Sequence, residues 1–179
     1  MTMTRLSGQK IAIMVANGFD EAHFIEMQKM LLALNVRLKV IAPGAGLVHG
    51  RNGNQAGMSY PVDSQFSETL AVDYDGLVIL SGEQLSILKE ELHATRIIRA
   101  FMRENMPVLA QGNALDLISE IDKDVDSDKM KSEGEYAQFR QLLWIADTCP
   151  IAEASRKFVA ICLAAEEQQD ISADDSAAA

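Results

Sequence analysis

Between residues 10 and 42 the chain sets a short apolar run, an amphipathic stretch and a second apolar run in succession, and this order restricts the fold more than any other feature. Lys10-Ile-Ala-Ile-Met-Val-Ala16 closes at Asn17-Gly18, and a run this short, bounded by turn residues, reads as a buried strand. Phe24, Met27, Met30, Leu31 and Leu34 then recur at helical spacing. They predict a helix from about Glu21 to Asn35, with Asp20, Glu21 and Glu26 near its positive N-terminal end. Val36 to Ala42 alternates apolar Val36, Leu38 and Val40 with basic Arg37 and Lys39, then stops at Pro43-Gly44. Two strands joined through a helix pair in parallel by a right-handed crossover.

The same alternation continues. Leu47 to Val62, punctuated by Gly50, Asn52-Gly53, Gly57 and Pro61, reads as a hairpin turning at Arg51-Asn52-Gly53. Asp75 to Leu80 and Pro107 to Ala110 read as further buried strands. Apolar positions from Ile87 to Met102 trace one long helix over Leu85 to Met106, and another helix is expected from Ala114 to about Ile121. The remainder reads as helical: Tyr136, Phe139, Leu142, Leu143 and Ile145 form one amphipathic set, and Ile151 to Glu166 another after Pro150. The expected fold is α/β, a flavodoxin-like, doubly wound, mostly parallel sheet with helices on both faces. Residues 1–8 are read as an N-terminal tail, 9–167 as one domain, and 168–179 as a disordered acidic tail.

Composition fits this reading. The 179 residues suit a single domain, and a 48% hydrophobic share supplies its core. A net charge of −10 argues against general affinity for nucleic acid or anionic membrane. No apolar run approaches the roughly 18 residues that span a bilayer. Arg5 and Lys10 precede only the short run Ile11 to Ala16, with Asp20 and Glu21 close behind, so no signal peptide is expected. The two cysteines, Cys149 and Cys162, make neither a disulfide framework nor a zinc spacing. A reduced, cytoplasmic protein without metal or cofactor is the expectation.

In an open parallel sheet, ligands gather at the C-terminal ends of the strands. Three turns belong there: Asn17-Gly-Phe-Asp-Glu21, Ser81-Gly-Glu83 and Gln111-Gly-Asn113. The first turn and its strand resemble the opening of the ThiJ/PfpI superfamily, related to class I glutamine amidotransferases. The resemblance continues through Val36 to Pro43, Gly50 to Gly53 and Val62-Asp63. Asp73-Tyr-Asp-Gly-Leu-Val-Ile-Leu-Ser-Gly82 is similar to the family's DYDALVLPGG, and Pro107-Val-Leu-Ala-Gln-Gly-Asn113 to its PVAAICHG. Thr148-Cys-Pro150 resembles an RTP segment before the last helix, so the likeness covers most of residues 9 to 165.

The resemblance implies chemistry through a cysteine at the strand-to-helix elbow, its thiolate favoured by the helix N-terminus and a nearby glutamic acid. Residue by residue, the cysteine falls on Gly112, the glutamate on His23 and the following histidine on Asn113, while Gly82-Glu83 stands in the second half of PGG. The nucleophile and its acid are both absent, and the expectation is a pseudoenzyme with no catalytic residue. A branch with a similar cysteine-less elbow is the C-terminal domain of large-subunit catalases, close to Ala110-Gln-Gly-Asn-Ala114. With its own initial Met1 and no haem-binding core, this chain is expected to be a free-standing relative of that branch. It implies a ligand-binding or structural, stress-related role and a homodimer. The expected ligand is a small anion or carbonyl compound near His23, Asp20, Gly82, Glu83, Gly112 and Asn113. The alternative is a hydrolase or glyoxalase-like enzyme in which His23 works with Asp20 or Glu21.

Other signals carry plainer readings. His49 and His93 fall on a hairpin and a helix, away from any metal cluster. Cys162, four positions after Phe158, reads as a small buried hydrophobe, and Met27 and Met30 as core. The acidic run Asp122 to Glu133 resembles a calcium loop, but Ser127 stands where that loop requires glycine; a solvated acidic linker is the plainer expectation.

Overall fold

A computed structural model describes residues 8–177 of the chain. Its elements are β1 (Lys10–Met14), β2 (Phe19–Asp20), α1 (Glu21–Ala33), β3 (Arg37–Ala42), β4 (Leu47–Asn52), β5 (Gln55–Pro61), β6 (Ser64–Gln65) and β7 (Gly76–Ile79). There follow α2 (Gln84–Glu90), α3 (Leu92–Arg103), β8 (Val108–Gln111), α4 (Ala114–Ile121), α5 (Ser127–Lys131), β9 (Tyr136–Phe139), β10 (Leu142–Ile145) and α6 (Ile151–Ala177). The main sheet runs β6-β3-β1-β7-β8-β10-β9, parallel throughout except for the antiparallel β10–β9 edge. β2, β4 and β5 form a small second sheet.

The order reverses direction at β1, the topological switch point that such sheets share. Two cores flank the main sheet because successive side chains of a strand point to opposite faces. Ala12 and Met14 of β1 join α3 and α4 on one side. Ile11 and Ile13 join α1 and α6 on the other. This is the mostly parallel, helix-flanked sandwich expected from the sequence. No helix among the described residues is long and apolar enough to cross a membrane.

Three local readings need correction. Tyr136 to Ile145 is a β-hairpin, not a helix: Leu142-Leu-Trp-Ile145 is buried at every position and pairs with β8, as a central parallel strand does. Arg140 makes the hairpin turn at φ +55°. The long helix over Leu85 to Met106 is two, because the Glu91 backbone is extended and its carboxylate caps α3 by accepting the His93 N–H. Residues 168–177, read as a disordered tail, continue α6. After Pro150 the sequence holds no glycine or proline to stop the helix, although every side chain from Glu166 to Ala177 is exposed. Residues 1–7 of the expected N-terminal tail, and residues 178–179, lie outside the described part.

Helix α6 sits close to the sheet because β7 begins with glycine. A Cβ on Gly76 would stand 2.9 Å from Ile11 Cδ1, 3.0 Å from Phe158 Cζ and 3.3 Å from Cys162 Sγ. Gly76→Ala is expected to cost about 1 kcal/mol by overpacking, read as a lower urea midpoint with unchanged slope.

Candidate functional site

The three turns named from the sequence meet at the C-terminal edge of the main sheet, with a fourth beside them. The first leaves β1 through Gly18 and is held by an antiparallel bridge between Phe19 and Gly82. Gln84, fully buried, ties the first two turns together: its Oε1 accepts the Ala16 N–H at 3.0 Å and its Nε2 donates to Leu80 O at 2.7 Å. The third turn is the elbow from β8 into α4. Gly112 there adopts φ +55°, its N–H donates to Ile145 O at 2.8 Å, and its carbonyl accepts the Trp144 indole N–H at 3.0 Å. The left-handed backbone that would display a nucleophile is thus retained without a side chain to display.

The space beside the elbow is filled from the fourth turn, between β10 and α6. A Cβ on Gly112 would lie 2.5 Å from Asp147 Oδ1 and 2.9 Å from its Cγ. Asp147 Oδ1 accepts the Ser81 hydroxyl at 2.5 Å. Ser81 N–H donates to Gln111 Oε1 at 3.1 Å, and Gln111 Nε2 faces His23 Nδ1 at 3.0 Å. The direction of this chain is fixed by its ends. A backbone N–H can only donate, so Oε1 of Gln111 turns to Ser81 and its Nε2 donates to His23. His23 Nδ1 is therefore an acceptor, and in the neutral ring the proton resides on Nε2.

The remaining candidates divide. Asp20 caps α1, its Oδ1 accepting the His23 N–H at 3.1 Å, and its Oδ2 lies 3.4 Å from His23 Nδ1. Glu83 turns away from the elbow to pair with Arg51 at 3.0 Å. Asn113 is exposed, and among the described residues its side chain reaches only Lys131, at 3.5 Å. Glu21, the second acid considered beside His23, is buried beneath the β4–β5 hairpin. There it accepts hydrogen bonds from the Tyr60 hydroxyl, the Asn52 amide and the Met58 N–H. The Tyr60 bond, above all, holds the Glu21 carboxyl below its ordinary range. Gly18, His49, Gly50 and Arg51 line a small cleft of about 330 Å³ beside these turns; His23 and Gly112 do not.

Neither thiol joins the His23–Gln111–Ser81–Asp147 chain: Cys149 follows Asp147 by two residues in the fourth turn, and Cys162 lies in α6. Cys149 and Cys162 are buried and free, and burial pushes each up from the ordinary thiol value. In the acidic run, Asp126 caps α5 through the Lys129 N–H, Asp122 accepts the Asp124 N–H, and Asp124 pairs with Arg140. The residues missed from sequence are Ser81, Gln111 and Asp147. The first two lay inside turns already singled out. Asp147 was hidden by the helical reading of β10; a strand there would have placed Ala146 to Pro150 at the same sheet edge.

The fold has close counterparts. The ThiJ/PfpI domain protein from Brachyspira murdochii superposes with a TM-score of 0.73 at 15% identity, over 88% of this chain and 98% of that one. Oxidized DJ-1 from Toxoplasma gondii gives 0.72 at 14% identity, over 93% and 97%. Such identities speak for the fold alone. By sequence, the catalase HPII of Pseudomonas putida is 29% identical over 99 residues, which are 55% of this chain but only 13% of that protein. The model of the DJ-1/PfpI family matches residues 9–130, the stretch holding the first three turns, the elbow among them, and the chain belongs to that family.

Proposed function

We propose that this chain is a non-catalytic member of the DJ-1/PfpI family, with a ligand-binding or structural role in place of thiol chemistry. The observation that carries this reading is the Asp147 carboxylate standing where a side chain on Gly112 would project. A nucleophile is missing and its space is taken by a group that only accepts hydrogen bonds. His23, which an enzyme with substituted machinery would need as its base, spends the Nδ1 lone pair on Gln111. The partial likeness to catalase HPII supports the same reading, since the shared stretch is a small part of that protein.

The elbow also bears on the ligand. An anion approaching Gly112 meets Asp147 and, beyond His23, Asp20, so a neutral carbonyl compound suits the crevice better than an anion. Its oxygen would accept from His23 Nε2–H. The test is an assay of the purified chain on methylglyoxal and on a peptide substrate. No turnover above the buffer rate is expected. Turnover that His23→Ala abolishes would overturn the proposal in favour of a hydrolase or glyoxalase-like enzyme.

A further inference from the structure

A cleft of about 830 Å³ opens at the opposite end of the sheet, beneath the starts of β1, β7 and β8 and between α3 and α6. Its size falls within the span of small-molecule sites, about 300–1,000 Å³. Gln9 lines it and is 4% exposed. Gln9 Nε2 donates to Glu166 Oε2 at 3.2 Å, and because a carboxylate can only accept, this bond fixes the amide orientation. Gln9 Oε1 is left buried without a partner, the one such side-chain atom among the described residues. Native proteins rarely strand a buried acceptor, and such an atom points to a missing donor.

Two further features share the cleft. Leu70 and Val72, the latter 81% exposed, present apolar side chains along one wall. Arg99 lines the cleft, is exposed, and has no hydrogen-bond or ion-pair partner among the described residues. Arg96, by contrast, is spent on the carbonyls of Phe66 and Thr69, at 2.8 and 3.0 Å, and holds that wall in place.

We infer that this cleft binds a small zwitterionic molecule with an apolar body, such as an apolar amino-acid derivative or short peptide. Its ammonium or amide N–H donates to Gln9 Oε1 beside Glu166, its apolar part lies on Leu70 and Val72, and its carboxylate pairs with Arg99. A cation alone would leave Arg99 unanswered, and an anion alone would leave Gln9 Oε1 without a donor. The site is independent of the elbow, because no residue of the His23–Gln111–Ser81–Asp147 chain lines it.

Calorimetric titration of the full chain tests this, with leucyl-leucine, leucinamide (no carboxylate) and 4-methylpentanoate (no nitrogen donor, expected to bind more weakly than leucyl-leucine) as probes. Leucyl-leucine should bind most tightly, at millimolar Kd or better. Gln9→Met and Arg99→Ala should each weaken it about tenfold, the scale of one charge-assisted contact. Arg99→Ala should leave leucinamide binding unchanged, and that exposed substitution does not endanger the fold. Gln9→Met should melt close to the parent protein, since removing an unsatisfied buried carbonyl offsets the lost bond to the exposed Glu166. Absence of heat with leucyl-leucine at several millimolar overturns the inference, as does binding that neither variant weakens. Binding lost in His23→Ala but kept in Gln9→Met would move the ligand to the elbow and equally overturn it.

Discussion

Restoring a cysteine at the elbow is expected to leave the thiol sluggish. In Gly112→Cys the new Cβ lands on the Asp147 carboxylate, 2.5 Å from Oδ1. Asp147 is exposed and free to rotate away, so the steric cost is chiefly its hydrogen bond to Ser81, about 1 kcal/mol. An L side chain at φ +55° adds about 1–2 kcal/mol, so the variant should lose about 2–3 kcal/mol in all. The displaced carboxylate stays beside the sulfur and opposes thiolate formation, whereas the N-terminus of α4 favours it. With Asp147 present the thiol should titrate at or above the free value of about 8.5. In the double variant Gly112→Cys with Asp147→Ala, the opposing charge and the overlap both go. Its thiol should titrate below about 8.5 and react with iodoacetamide at neutral pH about tenfold faster than the single variant. Equal rates for the two variants would mean that Asp147 does not govern the elbow, removing the main support for a non-catalytic reading.

That experiment turns on a residue the sequence did not mark, and the reason is physical. The β1–α1–β3 unit was legible because its periods differ so sharply: an unbroken apolar run, a stripe at helical spacing, then a second run. The missing cysteine was legible too, since Gly112 falls at a position defined by the strand before it and the helix after it. Asp147 depended on β10, and β10 is a four-residue apolar run that a helical pattern fits equally well when joined to Tyr136 and Phe139. Only pairing with β8 decides between them, and pairing is a long-range fact. The same holds for Glu21. On the sequence it is an acid in the first turn of a helix, favourable to the dipole. In the fold its partners come from 31, 37 and 39 residues away, and its carboxylate anchors a hairpin.

Glu21 should accordingly be the most sensitive polar position in the chain. The hairpin lies close enough for these bonds because β5 has glycine at residue 57, where a Cβ would collide with Glu21 Oε2 and the backbone of Gly50. Glu21→Ala strands three donors at once, on Tyr60, Asn52 and Met58, and the melting temperature should fall by on the order of 10 °C. Glu21→Gln keeps the volume but sets an NH₂ group among donors, so it should recover only part of the loss. Tyr60→Phe, which removes one donor and leaves the carboxylate two, should cost least. The pH dependence follows from the directions of the two titrations. The folded protein holds the Glu21 carboxyl below its unfolded value, so this contribution is complete above that value, about 4.5, and is lost as pH falls through the lowered folded one. Tyr60 behaves in the opposite sense. Burial, reinforced by Glu21, raises its phenol to about 12, so its contribution is complete below the unfolded value of 10 and is lost as pH climbs from 10 to about 12. Urea midpoints measured across pH should therefore show the parent protein's advantage over Glu21→Gln narrowing as the acid limit is approached. An advantage that stays constant from neutral pH down to pH 3 would show that the carboxylate's charge does not hold the hairpin.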